Sequence, residues 1–485
     1  MKWPFLFYIL CLINLAACDR QVLPDNDVQN AAIKFAIAQS PLNLDPRYAT
    51  DASSERICRL IYQSLVDFDA SMRPIPQLAT WNAVSAQAYQ FNLILSRNVF
   101  HHHEPLTADD VKATYDSLVG LKDSPHASEF ANIHHIAVQN QDTLTFYLKQ
   151  PDAHFAEKLI IGILPKRLIE AGHDFSRQPV GNGALAFEHW QNQLRLKRVA
   201  DGQEVVFHEV KDSTVRVLKL IKGEVDLIQG DLPPELVKYL QSQPDIKVLS
   251  TTGSNFSYLG LNVQHPVLSR LKVRQALAHA IDREALIRQV MVPDTRVAGA
   301  ILPPEHYAGN ADLRAYTYNP RMARQLLIEA GIQLPLKLVY KTSTDAQRVR
   351  FATILQAQMR PAGIDLQINS LDWGTFFSDI KHGNFELYGL TWVGIKTPEI
   401  YEKAFGSEYF TPRGVNRGRY RDATLDAFLL EKDWRSVTLR IHQQLPYIPL
   451  WYEGQFVAFN RHIKNYAPKS DGNWDDLATI SHDAH

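Results

Sequence analysis

The sequence predicts a mixed α/β fold divided among more than one lobe. Three observations carry that expectation. Segments with strand alternation and segments with helical spacing take turns along the whole chain. The 485 residues exceed what one ordinary domain holds, so two or three lobes are expected. A composition of 45 % hydrophobic and 21 % charged residues supplies real cores without a disordered tract. Lys and Arg total 51 against 52 Asp and Glu, a net charge of −1, which excludes a global basic field for nucleic acid. A mean hydropathy of −0.22 excludes a multispan membrane protein.

The first residues stand apart. Trp3 to Ala17 are apolar except at Pro4 and Asn14, with Lys2 in front. The run is shorter than the ~20 residues a spanning helix needs and ends in small residues, so residues 1–17 read as a secretion signal. Leu15-Ala16-Ala17-Cys18 resembles a bacterial lipobox, which implies cleavage before Cys18 and lipid on its thiol and new amino group. Such a lipid tethers a body to the membrane surface without a spanning helix. Asp19 resembles an inner-membrane retention signal, implying the periplasmic face of that membrane, and 18–30 read as anchor and linker. Cysteine usage agrees: Cys11 leaves with the signal, Cys18 carries lipid, and Cys58 alone remains, so no internal disulfide forms. Cys58 lies on the apolar stripe of a helical segment and reads as a buried, inert thiol.

Along the body, Tyr89, Phe91, Leu93 and Leu95 alternate as a strand does, as do Leu144, Phe146 and Leu148. Between them Thr107-Ala108-Asp109-Asp110 approximates a capping box, with Val111, Tyr115 and Leu118 on one helix face. Val217 to Ile221 reads as helix, Gly223 as its C-cap, and Val225 and Leu227 as the start of a strand. A second helix is expected from about Leu271 to Val290, with Val273, Leu277, Ala280, Ile281 and Ala285 on one side. No internal repeat or long linker interrupts the pattern.

Several segments, in order, carry a family resemblance. They are Pro105 to Val111, Pro179-Val180-Gly181-Asn182-Gly183-Ala184, Gly223 to Leu227, and Val273-Arg274-Gln275-Ala276-Leu277-Ala278-His279-Ala280-Ile281-Asp282-Arg283. Pro303-Pro304, Ala330-Gly331, Tyr420 to Asp426 and Pro446-Tyr447-Ile448-Pro449-Leu450 follow. Together they resemble the extracytoplasmic solute-binding proteins of the peptide/nickel type, which serve ABC importers. The resemblance implies a periplasmic-binding-protein-like fold, two hinged α/β lobes with an extra inserted domain. Carried over, lobe I combines 31–50, 177–260 and 455–485, the inserted domain is 51–176, and lobe II is 261–454. Tyr258-Leu259-Gly260-Leu261-Asn262 is the expected hinge, because a Gly in an extended run suits a strand between lobes.

The same resemblance locates the ligand site and a departure within it. Peptide binders of the family place an Asp three residues after a Trp, where it pairs with the peptide's α-amino group. Here the run is Trp392-Val393-Gly394-Ile395-Lys396, so Ile395 stands at the Asp position and Lys396 follows. An apolar side chain leaves a buried ammonium unpaired, at a cost of roughly 3–5 kcal/mol. A ligand anchored through a free α-amine is therefore not expected. Arg413, Arg417 and Arg419 add positive charge, which suits a carboxylate or phosphate gripped by an arginine fork. Trp392 is an expected aromatic wall, and Tyr258, Gly394 and Asn182 complete the expected ligand contacts. Between Leu430 and Pro446 the chain is shorter than the family pattern, and a trimmed helix is expected there.

Other motifs are set aside. His101-His102-His103, with His134 and His135 downstream, reads as a solvated turn, since adjacent residues on a strand point in opposite directions. Gly181-x-Gly183-x-x-Ala186 fits a loose dinucleotide pattern, but Leu194 and Leu196 announce strand where a helix is required. No catalytic or metal-binding signature is present, so neither enzyme activity nor a cofactor or metal is expected. The expected partners are a small-molecule or peptide-like ligand, ABC permease subunits and the membrane, through the lipid on Cys18. The protein itself is expected to be a monomer. The rival reading is an envelope lipoprotein that keeps the fold but works as a sensor, scaffold or chaperone.

Overall fold

A computed structural model describes residues 32–94, 99–121, 123–411 and 414–482. The signal segment, Cys18, Leu95 and Arg413 lie outside the described residues. Two large sheets and one smaller sheet, each with its own core, organise the chain.

The first sheet has seven strands in the order Ile246–Thr251, Gln455–Asn460, Leu227–Gln229, Ile33–Ile37, Glu204–Glu209, Leu194–Arg198, Leu185–Trp190. Ile33–Ile37 runs parallel to both neighbours and buries every residue but Lys34. Ile33, Phe35 and Ile37 point into one core with helix Ala52–Ile61, and Ala36 points into another with helices Ser213–Ile221 and Pro234–Gln241. Burial of both sheet faces is what a central strand of an α/β layer requires. Cys58 lies in the first of these cores, where its thiol donates to the Leu44 carbonyl at 3.4 Å.

The second sheet has six strands in the order Arg296–Val297, Tyr447–Tyr452, Phe256–Leu261, Leu387–Trp392, Leu336–Ser343, Ile364–Leu371. Leu259 and Leu261 face an aliphatic core, and Phe256 and Tyr258 face an aromatic one that holds Tyr388, Tyr447 and Phe405. The third sheet, Ala79–Ser85, Ala88–Leu93, Thr143–Leu148 and Ile133–Val138, is antiparallel. Helix Ala108–Gly120 begins at the Thr107/Asp110 capping box and buries Val111, Tyr115 and Leu118 in the core of that sheet.

Three placements differ from expectation. The segment from Leu271 to Val290 is two helices, Leu271–His279 and Arg283–Val290, because the Asp282 side chain caps the second by accepting from Ala285 N–H. Arg283, almost fully buried, fills the break: it donates to the Ala278, Ile281, Tyr316 and Pro449 carbonyls at 2.7–3.3 Å. Second, helix Ala52–Ile61, Leu164 and Phe175 pack in the first sheet's core, whereas the small domain's core runs from Leu65 to Ile163. The insertion is therefore tighter than 51–176.

Third, Tyr258 to Leu261 is not a hinge. It lies inside the second sheet, paired on both sides, and its glycine serves a close approach, since a Cβ at Gly260 would sit 2.1 Å from the Tyr388 ring. The chain passes between the large sheets at 252–255 and returns at 453–454. These crossings lie side by side: Glu453 N–H donates to the Asn255 carbonyl at 3.0 Å, and a Cβ at Gly253 would meet the Glu453 carbonyl at 1.8 Å. Lobe I therefore ends before Phe256 rather than at 260. The region from 430 to 446 holds the end of helix Ala423–Glu431 and helix Trp434–Gln444, joined by a left-handed Lys432, with Asp433 capping the second.

Candidate functional site

A cavity of about 550 Å³ opens between the two large sheets, against the paired crossings. Asp231 and Gln455 line it from the first sheet's side, Ser257 and Arg348 from the second's, and Asn255 and Glu453 from the crossings. Its position at strand ends, where the chain changes sheets, follows the general rule for clefts in α/β folds. Arg348 stands at the start of helix Ala346–Met359 and donates to Thr391 Oγ1 at 3.1 Å, and Thr391 in turn shares a 2.7 Å hydrogen bond with Ser257. Burial pushes the Glu453 carboxyl above its ordinary pKa; the Arg348 charge opposes this and Asp231 adds to it.

Strand alternation puts a second constellation on the other face of the same sheet end. Trp392 stacks on Tyr258, with ring centroids 6.2 Å apart and planes at 11°. The Arg417 guanidinium lies 4.4 Å from the Trp392 ring centroid and 5.5 Å from that of Phe377, and donates to the Tyr258 hydroxyl at 2.9 Å. Burial works against the Arg417 charge, but the Tyr258 and Tyr388 hydroxyls outweigh it and hold its pKa above the arginine norm. Beside this stack is a narrow cavity of about 20 Å³, room for a single water. Trp392, Tyr258 and Arg417 thus stand together, as one cation between aromatic rings.

The other expected contacts scatter. Ile395 packs against the aromatic core, so its apolar character serves packing as well as removing an acid. Gly394 adopts φ +70°, the left-handed turn that lets the chain leave strand Leu387–Trp392. Lys396 reaches the small domain, its ammonium 5.6 Å from the Phe68 ring centroid, while its carbonyl bonds His306 Nε2 at 3.0 Å. Arg419 is spent on the His382 carbonyl at 2.7 Å.

Asn182 is not with the others: its side-chain oxygen accepts from Gln63 N–H at 2.9 Å. It lies in a seam where a Cβ at Gly181 or Gly183 would meet a carbonyl of helix Ala52–Ile61 at 2.1 or 2.3 Å. Its side chain joins the end of that helix to the loop. The strand Leu185–Trp190 follows these glycines, so no nucleotide-loop helix is there. The histidine run is a turn in which His101 bonds the Gly183 carbonyl and His102 bonds Glu104, each at 3.0 Å.

Asn255, Arg348 and Glu453 went unrecognised in the sequence. One signal was present for Glu453: an acid inside the largely apolar Pro446–Phe459 stretch, next to Gly454, marks a backbone crossing with a charge held in place.

Comparison with known proteins agrees with the geometry. The family model described as bacterial extracellular solute-binding proteins, family 5 Middle, matches residues 73–406. The chain is 25 % identical to a probable di/tripeptide-binding protein 5 of Pseudomonas aeruginosa, covering 92 % of this chain and 94 % of that one. It is 23 % identical to heme-binding protein A of Haemophilus influenzae, over 94 % of this chain and 95 % of that one. The crystal structure of the ABC transporter substrate-binding protein CtaP from Listeria monocytogenes superposes with a TM-score of 0.83 at 19 % identity, covering 94 % of this chain and 99 % of that one. The matched span, the two-lobed architecture with its insertion and the cleft between the sheets agree: the chain belongs to the bacterial extracellular solute-binding proteins of family 5, which bind solutes and do not transform them.

Proposed function

We propose that the protein is the receptor of an ABC importer, held at the periplasmic face of the inner membrane by lipid on Cys18. It captures a small solute between its lobes and presents it to the permease. The observation that carries this reading is the cavity of about 550 Å³ lined from both sheets and floored by the two crossings. A ligand there touches both lobes, and only such a ligand favours the closed state over the open one. Names given to relatives, di/tripeptide-binding and heme-binding, support a small organic solute and leave its class open. Arg348 on the cleft wall suits a ligand with a carboxylate or similar acceptor. The Ile395 position offers an amine nothing.

Native mass spectrometry of protein purified without denaturation is expected to show a bound small molecule. X-ray scattering of the stripped protein is expected to show a smaller radius of gyration when that molecule is returned. A stripped protein whose dimensions no fraction of a cell extract changes would overturn the receptor reading. For the anchor, Cys18→Ser is expected to move the protein from the membrane to the soluble fraction.

A further inference from the structure

We infer that Glu453 and Asn255 form a receptor for a cationic group, an ammonium or guanidinium, at the floor of the cleft. This rests on the cleft being the ligand site and adds a charge requirement to it. Glu453 lines the cavity, and among the described residues its carboxylate has no hydrogen bond and no ion pair. The side-chain oxygen of Asn255, lining the same cavity, is buried with no hydrogen-bond partner. The two are neighbours through the 3.0 Å bond between Glu453 N–H and the Asn255 carbonyl. A carboxylate and an amide oxygen both accept, so the group that satisfies them together must donate, and a half-buried carboxylate favours a positively charged donor.

The protein's own cations do not fill that role. Arg348 acts on Glu453 only through space, and its guanidinium donates to Thr391. Arg56, the other arginine on the cavity wall, lies against the Trp474 ring at 5.4 Å. Both crossings are fixed in backbone position: Gly454 N–H donates to Thr295 Oγ1 at 3.0 Å, and a Cβ at Gly454 would meet the Pro293 carbonyl at 1.9 Å. The acceptor pair is thus presented on rigid backbone, the arrangement a binding site needs. Arg348 on the facing wall offers its remaining N–H groups to an anion. A ligand with both charges, cation on Glu453 and anion on Arg348, matches the cavity; its amine is received here and not at residue 395.

The test uses two pools of probes, free L-dipeptides with arginine, lysine and putrescine, and the same dipeptides N-acetylated. Native mass spectrometry reads which members the full-length protein captures, and titration calorimetry gives their affinities. Wild-type protein is expected to take free-amine members and to prefer them over the acetylated forms by about 30-fold or more, the order seen when one partner of a desolvated charge pair is neutralised. Glu453→Gln is expected to lose that preference while melting no lower than wild type. Asn255→Asp, which adds a second negative acceptor, is expected to strengthen it. Equal capture of acetylated members by wild type, unchanged amine preference in Glu453→Gln, or capture of no amine at all would overturn the assignment. None of these outcomes touches the receptor reading, which stands or falls on closure in the scattering experiment.

Discussion

Two pairs of arginines show how differently one side chain is used in this molecule. Arg274 and Arg283, in the motif that carries the family resemblance most strongly, are buried and spent on main-chain carbonyls. Arg274 donates to Leu268, Ser269 and Gln444 at 2.8–3.0 Å, and Arg283 fills the helix break at 280–282. Burial pushes Arg283 down to about 10, and no acid faces it. Arg348 and Arg417 instead sit at the cleft end of the second sheet, held by hydroxyls and rings that leave part of each guanidinium uncommitted. The recognisable motif is therefore scaffold. The cleft arginine Arg348 lies outside every motif that carries the resemblance.

That contrast can be broken by mutation. Arg283→Met should have the largest effect, because four carbonyls lose their donor at once; about 3 kcal/mol of stability should disappear in urea melts, with ligand affinity of the remaining folded protein unchanged. Next, Arg348→Ala should weaken binding of the co-purified ligand by about 2 kcal/mol in calorimetry while the melting midpoint moves little. If Arg348→Ala unfolds the protein and leaves affinity intact, the division between scaffold and cleft arginines is wrong. Trp392→Leu should cost about 1 kcal/mol, read as a lower melting temperature, by removing the ring beneath Arg417.

The smallest effect concerns pH and a contact remote from the crossings. Glu399 meets Lys158 of the small domain at 3.2 Å and Lys403 at 3.1 Å. Burial alone would raise its pKa, and the two ammonium groups overcome this and hold it below the ordinary 4.5. A carboxylate with a depressed folded pKa stabilises fully above its unfolded value, and that contribution is lost as pH falls through the folded one. Acid melts should therefore show a loss of about 1 kcal/mol or less that begins below about pH 4.5, and Glu399→Gln should flatten it.

Much of the fold could be read from the chain because its signals are local. The Thr107 box and the Gly223 cap, with φ +71°, depend on residues within one turn of each other. The break at 280–282 was hidden because Val273, Leu277, Ala280 and Ile281 keep helical spacing across it, while the arginine that stabilises it bonds Pro449, far away in sequence. The hinge was misplaced for a related reason. Gly260 looked like a joint in an extended strand, but the reason for its missing side chain, Tyr388, lies on a neighbouring strand. Trp392, Tyr258 and Arg417 stand together at the sheet end to which the resemblance points. Asn255, Arg348 and Glu453 escaped because only the meeting of two crossings brings them together.

The pairing of those crossings has a mechanical consequence. Two connections bonded to each other define a line, and a contact on that line has no lever arm for lobes that turn about it. With such a motion, a ligand group held by Glu453 and Asn255 would add affinity without choosing between open and closed forms. Contacts farther out, such as Lys396 over Phe68 and Lys158 on Glu399, lie off the line and would carry the leverage. Tightness of capture and completeness of closure would then be set by different parts of one cleft, and a solute could satisfy the first while failing the second.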